Sequence, residues 1–223
     1  MEAAMISYET VKNDNDIRTY IRKADASLLA LGYTEHSFAH VESVARTAAE
    51  ILETLGFDKN TVELARIAGF LHDIGNVVNR TDHSQSGALM AFRILDKMGM
   101  CAEDLAAVVT AIGNHDEGTG VPVSEIAAAL ILADKSDVRR TRVRNHDSST
   151  FDIHDRVNYS VVSSSLSVDA ENKCATLDLT IDTAISSIMD YFEIFLVRMK
   201  LCRSAAQSLG VGFRLVINGQ HFI

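Results

Sequence analysis

The sequence predicts a mostly α-helical bundle with a small C-terminal α+β appendage of β-β-α-β order, and three observations predict it. Helical periodicity, punctuated by Gly and Asn stops, runs through nearly every segment from about residue 13 to 145. After about residue 147 the pattern changes to two alternating runs, one amphipathic helix and a last strand. One proline in 223 residues leaves the helices uninterrupted. The expected division is a helical core over residues 1–147 and a small α+β domain over 148–223.

Each element has a local reason. Asp14-Asn15-Asp16 can cap a first helix running to about Leu31, where Gly32 stops it. A second is predicted from near Glu35 to Leu55, with His40, Val44, Ala48, Ile51 and Leu55 on one stripe and Gly56 at its end. Asp58 to Asn60 caps a third over about 61 to 74. The polar loop GNVVNRTDHSQ leads into a helix from about Ser84 to Met98, closed by Gly99. Two more run from about Ala102 to Ile112 and from Ser124 to about Arg139. SVVSSSLSVD (160–169) and CATLDLTID (174–182) alternate around the turn cluster DAENK, a β-hairpin. A helix from about Thr183 to Ser208 and the strand FRLVING complete the appendage. Phe192, Phe195, Leu196, Met199 and Cys202 share an apolar side of that helix, which packs as core or could pair with another subunit in a homodimer.

Bulk properties exclude several function classes. At 47% hydrophobic residues the chain can bury a large core. Its net charge of -9 repels phosphate backbones and anionic lipids, so neither a nucleic-acid polymer nor a membrane surface is an expected partner. Cys101, Cys174 and Cys202 are far apart and odd in number, which suits reduced, mostly packed thiols of a cytoplasmic protein. MEAAMISYETVKNDND lacks the basic start and apolar run of a signal peptide, and no apolar run approaches the roughly 20 residues of a membrane span.

The chemistry concentrates in five of the eight histidines, His36, His40, His72, His83 and His115, between residues 36 and 115. His40 shares its stripe with Val44, Ala48 and Ile51 and should face the core. His72-Asp73 ends the most apolar helix, and Asp134 lies on the stripe of Ala127, Leu130 and Ile131. A single inward His is usually a hydrogen-bonded core residue, and His36 or His83 taken alone is open to that reading or to a ligand role. For His40, His72, Asp73 and Asp134 together, four separate satisfactions would be needed, because an unpaired buried carboxylate costs several kcal/mol. One divalent cation satisfies all four, and helical bundles build carboxylate and histidine metal sites in this way. With no cysteine among the candidates, one or two ions of Mn, Fe, Co, Ni or Mg are favoured.

HVESVARTA around His40, GFLHDIGN around His72-Asp73 and ALILADKSD around Asp134, in that order and spacing, resemble the HD-domain superfamily of metal-dependent phosphohydrolases over residues 20 to 145. The resemblance implies an HD-domain helical bundle in which His40, His72, Asp73 and Asp134 hold a first metal. His83 and His115 correspond to the additional histidines of two-metal branches, which include HD-GYP cyclic-dinucleotide phosphodiesterases and dinucleoside-polyphosphate hydrolases. DHSQSGA is similar to their DH-x-x-x-GA, but Asn76 stands where HD-GYP proteins usually have lysine, His115-Asp116 where they have a paired HH, and GTGVP is shorter than their GYP segment. Cyclic-dinucleotide cleavage is therefore disfavoured. His36, four residues before His40, is a candidate outer ligand or substrate contact, with Glu35 as its alternative.

KSDVRRTRVR follows Asp134 and places Lys135, Arg139, Arg140, Arg142 and Arg144 within ten residues of an acidic chain. The run is either a solvated face at a helix end or a phosphate contact. Lys135, Arg139 and Arg140 are the candidate phosphate binders. Asp73, His115, Asp116 and Lys135 are the candidate catalytic groups, with Asp73 bridging two metals and His115 or Asp116 shuttling a proton. A second dipeptide, His154-Asp155, opens the strand region and is expected to be a turn with surface charge. The extension after such a core resembles a bacterial and archaeal group of HD-superfamily phosphohydrolases. The expected activity is hydrolysis of a small phosphate ester, preferably a nucleotide, by a metal-activated water. The alternatives are a phosphodiesterase or pyrophosphohydrolase for dinucleotides or (p)ppGpp, and a non-catalytic HD nucleotide-binding sensor.

Overall fold

Short polar side chains open most of the helices, as the sequence requires. In a computed structural model describing residues 6–145 and 147–222, Asp14 accepts from the amides of Asp16 and Ile17 and Asp58 from those of Asn60 and Thr61. The first five residues of the acidic N-terminal stretch lie outside the described residues. The helical part comprises α1 (Tyr8–Asn13), α2 (Asn15–Ala30), α3 (Phe38–Thr54), α4 (Lys59–Leu71), α5 (His83–Met98), α6 (Ala102–Gly113) and α7 (Glu125–Ser136). Then follow α8 (Ile153–Ser160), β1 (Val161–Asp169), β2 (Cys174–Ile181), α9 (Ile188–Ser208), β3 (Gly212–Ile217) and β4 (Gln220–His221). The mostly helical class with a small C-terminal sheet is as the sequence predicts.

α7 is the centre of the bundle. Its residues from Ile126 to Ala133 are all at most 3% exposed, as expected of a helix apolar on every side. It packs against α3, α4, α6 and α9. α3 and α4 cross closely because residue 69 is glycine: a Cβ there would lie 2.7 Å from the Ala45 Cα. That approach brings the stripe of His40 beside the end of α4.

The sheet has the order β1-β2-β3-β4, with β1/β2 and β3/β4 antiparallel and β2/β3 parallel. α9 is the crossover between the parallel pair, which a tight turn cannot join. Alternation along β2 turns Ala175, Leu177, Leu179 and Ile181 inward, with Leu177 opposite Leu166 on β1 and Leu215 on β3. One continuous cluster of buried side chains joins the helices to α9 and the sheet, from Val11 through Phe70 and Leu130 to Tyr191, Met199 and Leu215.

Several boundaries differ from the expectation. α9 starts at Ile188, not Thr183, because Ser187 and Asp190 form a capping box there. α7 ends at Ser136, not Arg139, where Asp137 leaves helical backbone. α1 precedes the first expected helix, and β4 follows the last expected strand. Residues 153–160 form α8 where a turn was expected; Asp152 caps it by accepting from the Asp155 amide. Cys101 is exposed, Cys174 half-buried and Cys202 buried, so packing of the thiols is less complete than expected. No described helix is long and apolar enough to cross a membrane.

Candidate metal centre

Four elements converge on the end of α4. His72 is its C-cap, and Asp73 turns out of the helix into a 3₁₀ turn over Ile74–Val77. Gly75 permits that turn to press against α5, since a Cβ there would overlap the His83 carbonyl oxygen. His40 comes from α3, His83 opens α5, His115 follows α6 and Asp134 lies near the end of α7. His36 precedes α3 instead of lying on it, because the helix begins at Phe38 with Ser37 as its cap.

Each of these histidines is held by one ring nitrogen and offers the other. Nδ1 lies 2.7 Å from Thr34 O in His36, 2.7 Å from Asp137 Oδ2 in His40 and 2.8 Å from Gly69 O in His72. In His83 it lies 3.1 Å from Arg80 O, and in His115 2.6 Å from Ile112 O. Each Nδ1–H donates to an oxygen, which fixes the tautomer that leaves Nε2 with a lone pair. The Nε2 atoms point at the two carboxylates. His40 Nε2 is 3.6 Å from Asp73 Oδ2 and 3.4 Å from Asp134 Oδ1; His72 Nε2 is 3.3 Å and 3.7 Å from the same atoms. On the other side, His83 Nε2 is 3.5 Å from Asp73 Oδ1 and 3.2 Å from His115 Nε2. His36 Nε2 is 3.9 Å from Asp73 Oδ2.

The residues present fit a divalent cation. His40 Nε2, His72 Nε2 and Asp73 Oδ2 are buried and have no hydrogen-bond partner among the described residues, a cost that a shared cation removes. One donor atom from each of His40, His72 and Asp134 falls within 4.8 Å of the others, and so does one from each of His72, Asp73 and His115. Asp73 thus stands between two donor sets, Oδ2 toward His40 and His72, Oδ1 toward His83. Asn76 fixes it there, donating from Nδ2 to Asp73 Oδ1 at 2.8 Å and to its carbonyl at 2.9 Å.

Charge in the pocket follows from burial and proximity. Burial drives His36 well below the ordinary imidazole value, lowers His83, and with the neighbouring His72 takes His115 to about 3, so these three are neutral at physiological pH. For His72 burial acts downward too, but Asp73 and Asp134 outweigh it and raise the imidazole. Burial alone would raise both carboxyls; His72 and His36 around Asp73, and Lys135 beside Asp134, hold them well below the usual carboxylate range. Without a cation, therefore, a proton held on His72, 3.3 Å from Asp73 Oδ2, offsets part of the buried negative charge.

The basic run is arranged differently from the expectation. Lys135 faces the site, 2.6 Å from Asp134 Oδ2, and is only 5% exposed. Arg139 is turned onto Asp137 at 2.7 Å, and Arg140 donates to the Tyr159 carbonyl at 2.9 Å with its guanidinium over the Tyr159 ring. Neither lines the cleft, because the chain leaves the helix at Asp137 and the expected one-turn spacing from Lys135 is lost. The cleft, about 550 Å³, is instead lined by Arg80, Lys135, Arg142 and Arg198, together with His36, Asp73, His83, Asp116 and Asp134. Glu35, the alternative to His36, bonds the Ser37 hydroxyl and does not line it.

Sequence reasoning missed Asp137, Arg80 and Arg198 as residues of the site and gave Arg142 no role. Asp137 sits three residues after Asp134, a spacing that could have marked it as a partner for the same pocket. Arg198 is far away in sequence and gave no signal. His154 and Asp155 also line the cleft, from α8, so the expectation of a plain surface turn is corrected.

The HD domain family model matches residues 37–156, more than half of the chain and all of these donors except His36. The chain belongs to the HD domain family. An uncharacterised protein of Methanocaldococcus jannaschii is 26% identical over 163 residues, covering 63% of this chain and 62% of the relative, so the chain spans less than two thirds of that protein's length. A solved structure, a predicted HD superfamily hydrolase from an uncultured Thermotogales bacterium, is 28% identical with a TM-score of 0.45, covering 56% of this chain and 67% of that one.

Proposed function

We propose that this HD domain protein is a metal-dependent phosphohydrolase that cleaves a phosphate ester of a small molecule, a nucleotide in the preferred reading. The observation that carries this is the convergence of three buried ligand atoms without a hydrogen-bond partner among the described residues, His40 Nε2, His72 Nε2 and Asp73 Oδ2, behind a cation-lined cleft that Asp73 itself lines. HD domain membership supports metal-dependent hydrolysis in general. The cations support phosphate, and Tyr33, 45% exposed at the rim with the Arg80 guanidinium 5.7 Å from its ring centroid, supports a stacked base.

His40, His72, Asp73 and Asp134 would hold one divalent ion, with His36 at its edge, and Asp73, His83 and His115 a second. When bound, such ions make a water nucleophilic near neutral pH and offset charge developing on phosphoryl oxygens. The protein's own groups do the rest. Asp137 and Gly69 orient the imidazoles of His40 and His72, and Asn76 orients Asp73. Arg80, 3.9 Å from Asp73 Oδ1, and Arg142 meet the phosphate from the cleft wall. Burial would raise Asp116, but Lys135 and His83 lower it, so it is ionised; 3.9 Å from His83 Nε2, it can accept a proton at the cleft.

The test is a panel of Mn, Fe, Co, Ni and Mg with p-nitrophenyl phosphate and nucleoside phosphates, alongside metal analysis of the purified protein. Turnover dependent on a divalent ion is expected. Tight nucleotide binding with no turnover under any metal would overturn the enzyme reading in favour of a sensor.

A further inference from the structure

The cleft has a wall that does not come from the residues matched to the HD domain. Arg198 lies on α9, forty-two residues beyond the end of that match at 156, yet it lines the same cleft as Asp73, Asp134 and Lys135. Two contacts fix its guanidinium. Its Nε donates to Glu117 Oε1 at 2.7 Å, and its Cζ stacks 4.2 Å from the centroid of the Phe195 ring, itself 4% exposed. Glu117 also lies 3.8 Å from Lys135 Nζ, which ties the α9 arginine to the neighbour of Asp134. The two terminal nitrogens of Arg198 make no hydrogen bond among the described residues, and the side chain, which lines the cleft, keeps 20% of its surface.

An arginine with its Nε anchored, its plane stacked and its fork left open is arranged for bidentate contact with two oxygens of one anion. Its rotamer entropy is already spent on contacts within the protein, so little ordering remains to oppose binding. The other cations of the cleft are differently engaged: Lys135 is 2.6 Å from Asp134, Arg142 donates to the Glu35 and Asp137 carbonyls at 2.9 and 2.7 Å, and Arg80 donates from Nη1 to Asn76 Oδ1 at 3.4 Å.

We propose that Arg198 is a substrate-contact residue, through which the C-terminal α+β unit supplies a phosphate-binding fork to the HD cleft, with Glu117 and Phe195 holding it in position. The inference rests on the reading of the cleft as a phosphohydrolase site, and it assigns the C-terminal unit a part in that site. Glu117 competes with the incoming anion for the same guanidinium, so it also sets how strongly phosphate is held.

The experiment measures inorganic phosphate binding calorimetrically and p-nitrophenyl phosphate kinetics for the full-length protein and its Arg198→Ala, Arg198→Lys and Glu117→Gln variants, each with metal content determined. Arg198→Ala is expected to weaken phosphate binding at least tenfold and to raise KM by a similar factor with kcat changed much less, at unchanged metal content. Arg198→Lys should recover part of the loss, and Glu117→Gln should bind phosphate more tightly than the parent. Phosphate affinity and KM unchanged in a folded Arg198→Ala protein, or in Arg198→Lys where the alanine variant does not fold, would overturn the proposal while leaving metal-dependent turnover intact. Arg198-dependent phosphate binding in a protein with neither metal nor turnover would support the proposal and overturn the hydrolase reading instead.

Discussion

His72-Asp73 and His154-Asp155 are one dipeptide in two settings: Asp73, His154 and Asp155 line the same cleft, while His72 lies buried behind it. The first ends an apolar helix: His72 is fully buried, Asp73 is 5% exposed, and two of their atoms have no hydrogen-bond partner among the described residues. The second opens α8, where His154 is exposed and Asp155 is half-buried and accepts from Asn145 at 3.3 Å. Water satisfies an exposed imidazole or carboxylate at no cost, so the second pair places no demand on its surroundings. Inside the low-dielectric bundle the same groups must share a proton or a cation. Burial, not the dipeptide, makes the first pair fit to hold a metal.

The largest test of that contrast replaces each pair in turn. His72→Ala with Asp73→Ala is expected to abolish metal binding and turnover. Retained activity in that variant, measured beside its metal content, would sink the metal-centre reading.

Next in size are the groups that only orient ligands. Asp137→Ala removes the acceptor of His40 Nδ1, and Asn76→Ala removes the donor to Asp73; each should weaken metal affinity about 10–100-fold. Competition with a chelating dye measures it, and affinity equal to the parent protein would show that packing alone positions the ligands.

Proton competition comes third. Burial would lower His72, but Asp73 and Asp134 raise it, so the metal-free chain holds that proton above the ordinary imidazole pKa. Ligation requires the neutral ring and must displace it. Metal affinity should therefore fall as pH drops through this raised value, by up to about tenfold per unit for one displaced proton. Titrations in buffers of different ionisation enthalpy should register proton release on metal binding at and just above the ordinary imidazole value of about 6.5, where an unperturbed imidazole would release less; affinity flat through that range contradicts a proton held on His72.

A smaller effect concerns the scaffold. Gly69→Ala would push α3 from α4 at Ala45 and separate His40 from His72, costing about 1–3 kcal/mol by overpacking. Thermal unfolding of the metal-free protein measures it, and an unchanged Tm would mean that the crossing relaxes freely. The smallest effect is expected of the second dipeptide: His154→Ala with Asp155→Ala should change stability by no more than about 0.5 kcal/mol and leave metal content as in the parent.

Much of this was legible in the chain. Gly32, Gly56 and Gly99 mark the ends of α2, α3 and α5 because each takes positive φ there, a conformation favourable only for glycine, and Asp14 and Asp58 mark starts because their carboxylates satisfy free amides. The capping box at Ser187 and Asp190 was equally local and went unread, which displaced the start of α9. The inward histidines and aspartates could be selected because polar groups on an apolar stripe carry a cost visible in one helix at a time. Arg139 and Arg140 went astray because the inference required the helix to continue past Asp137, and the pull of His40 on that carboxylate comes from another helix.

The sequence by itself determined which faces of most helices would be buried, where most of them stop and that the inward carboxylates and imidazoles would need a proton or a cation beside them, since periodicity, caps and desolvation act over a few residues. Only the tertiary structure decided which cations line the cleft. Arg80, Arg142 and Arg198 come together through the packing of α9 on α7 and the chain's turn at Asp137, and contacts between residues so far apart follow from how the core closes.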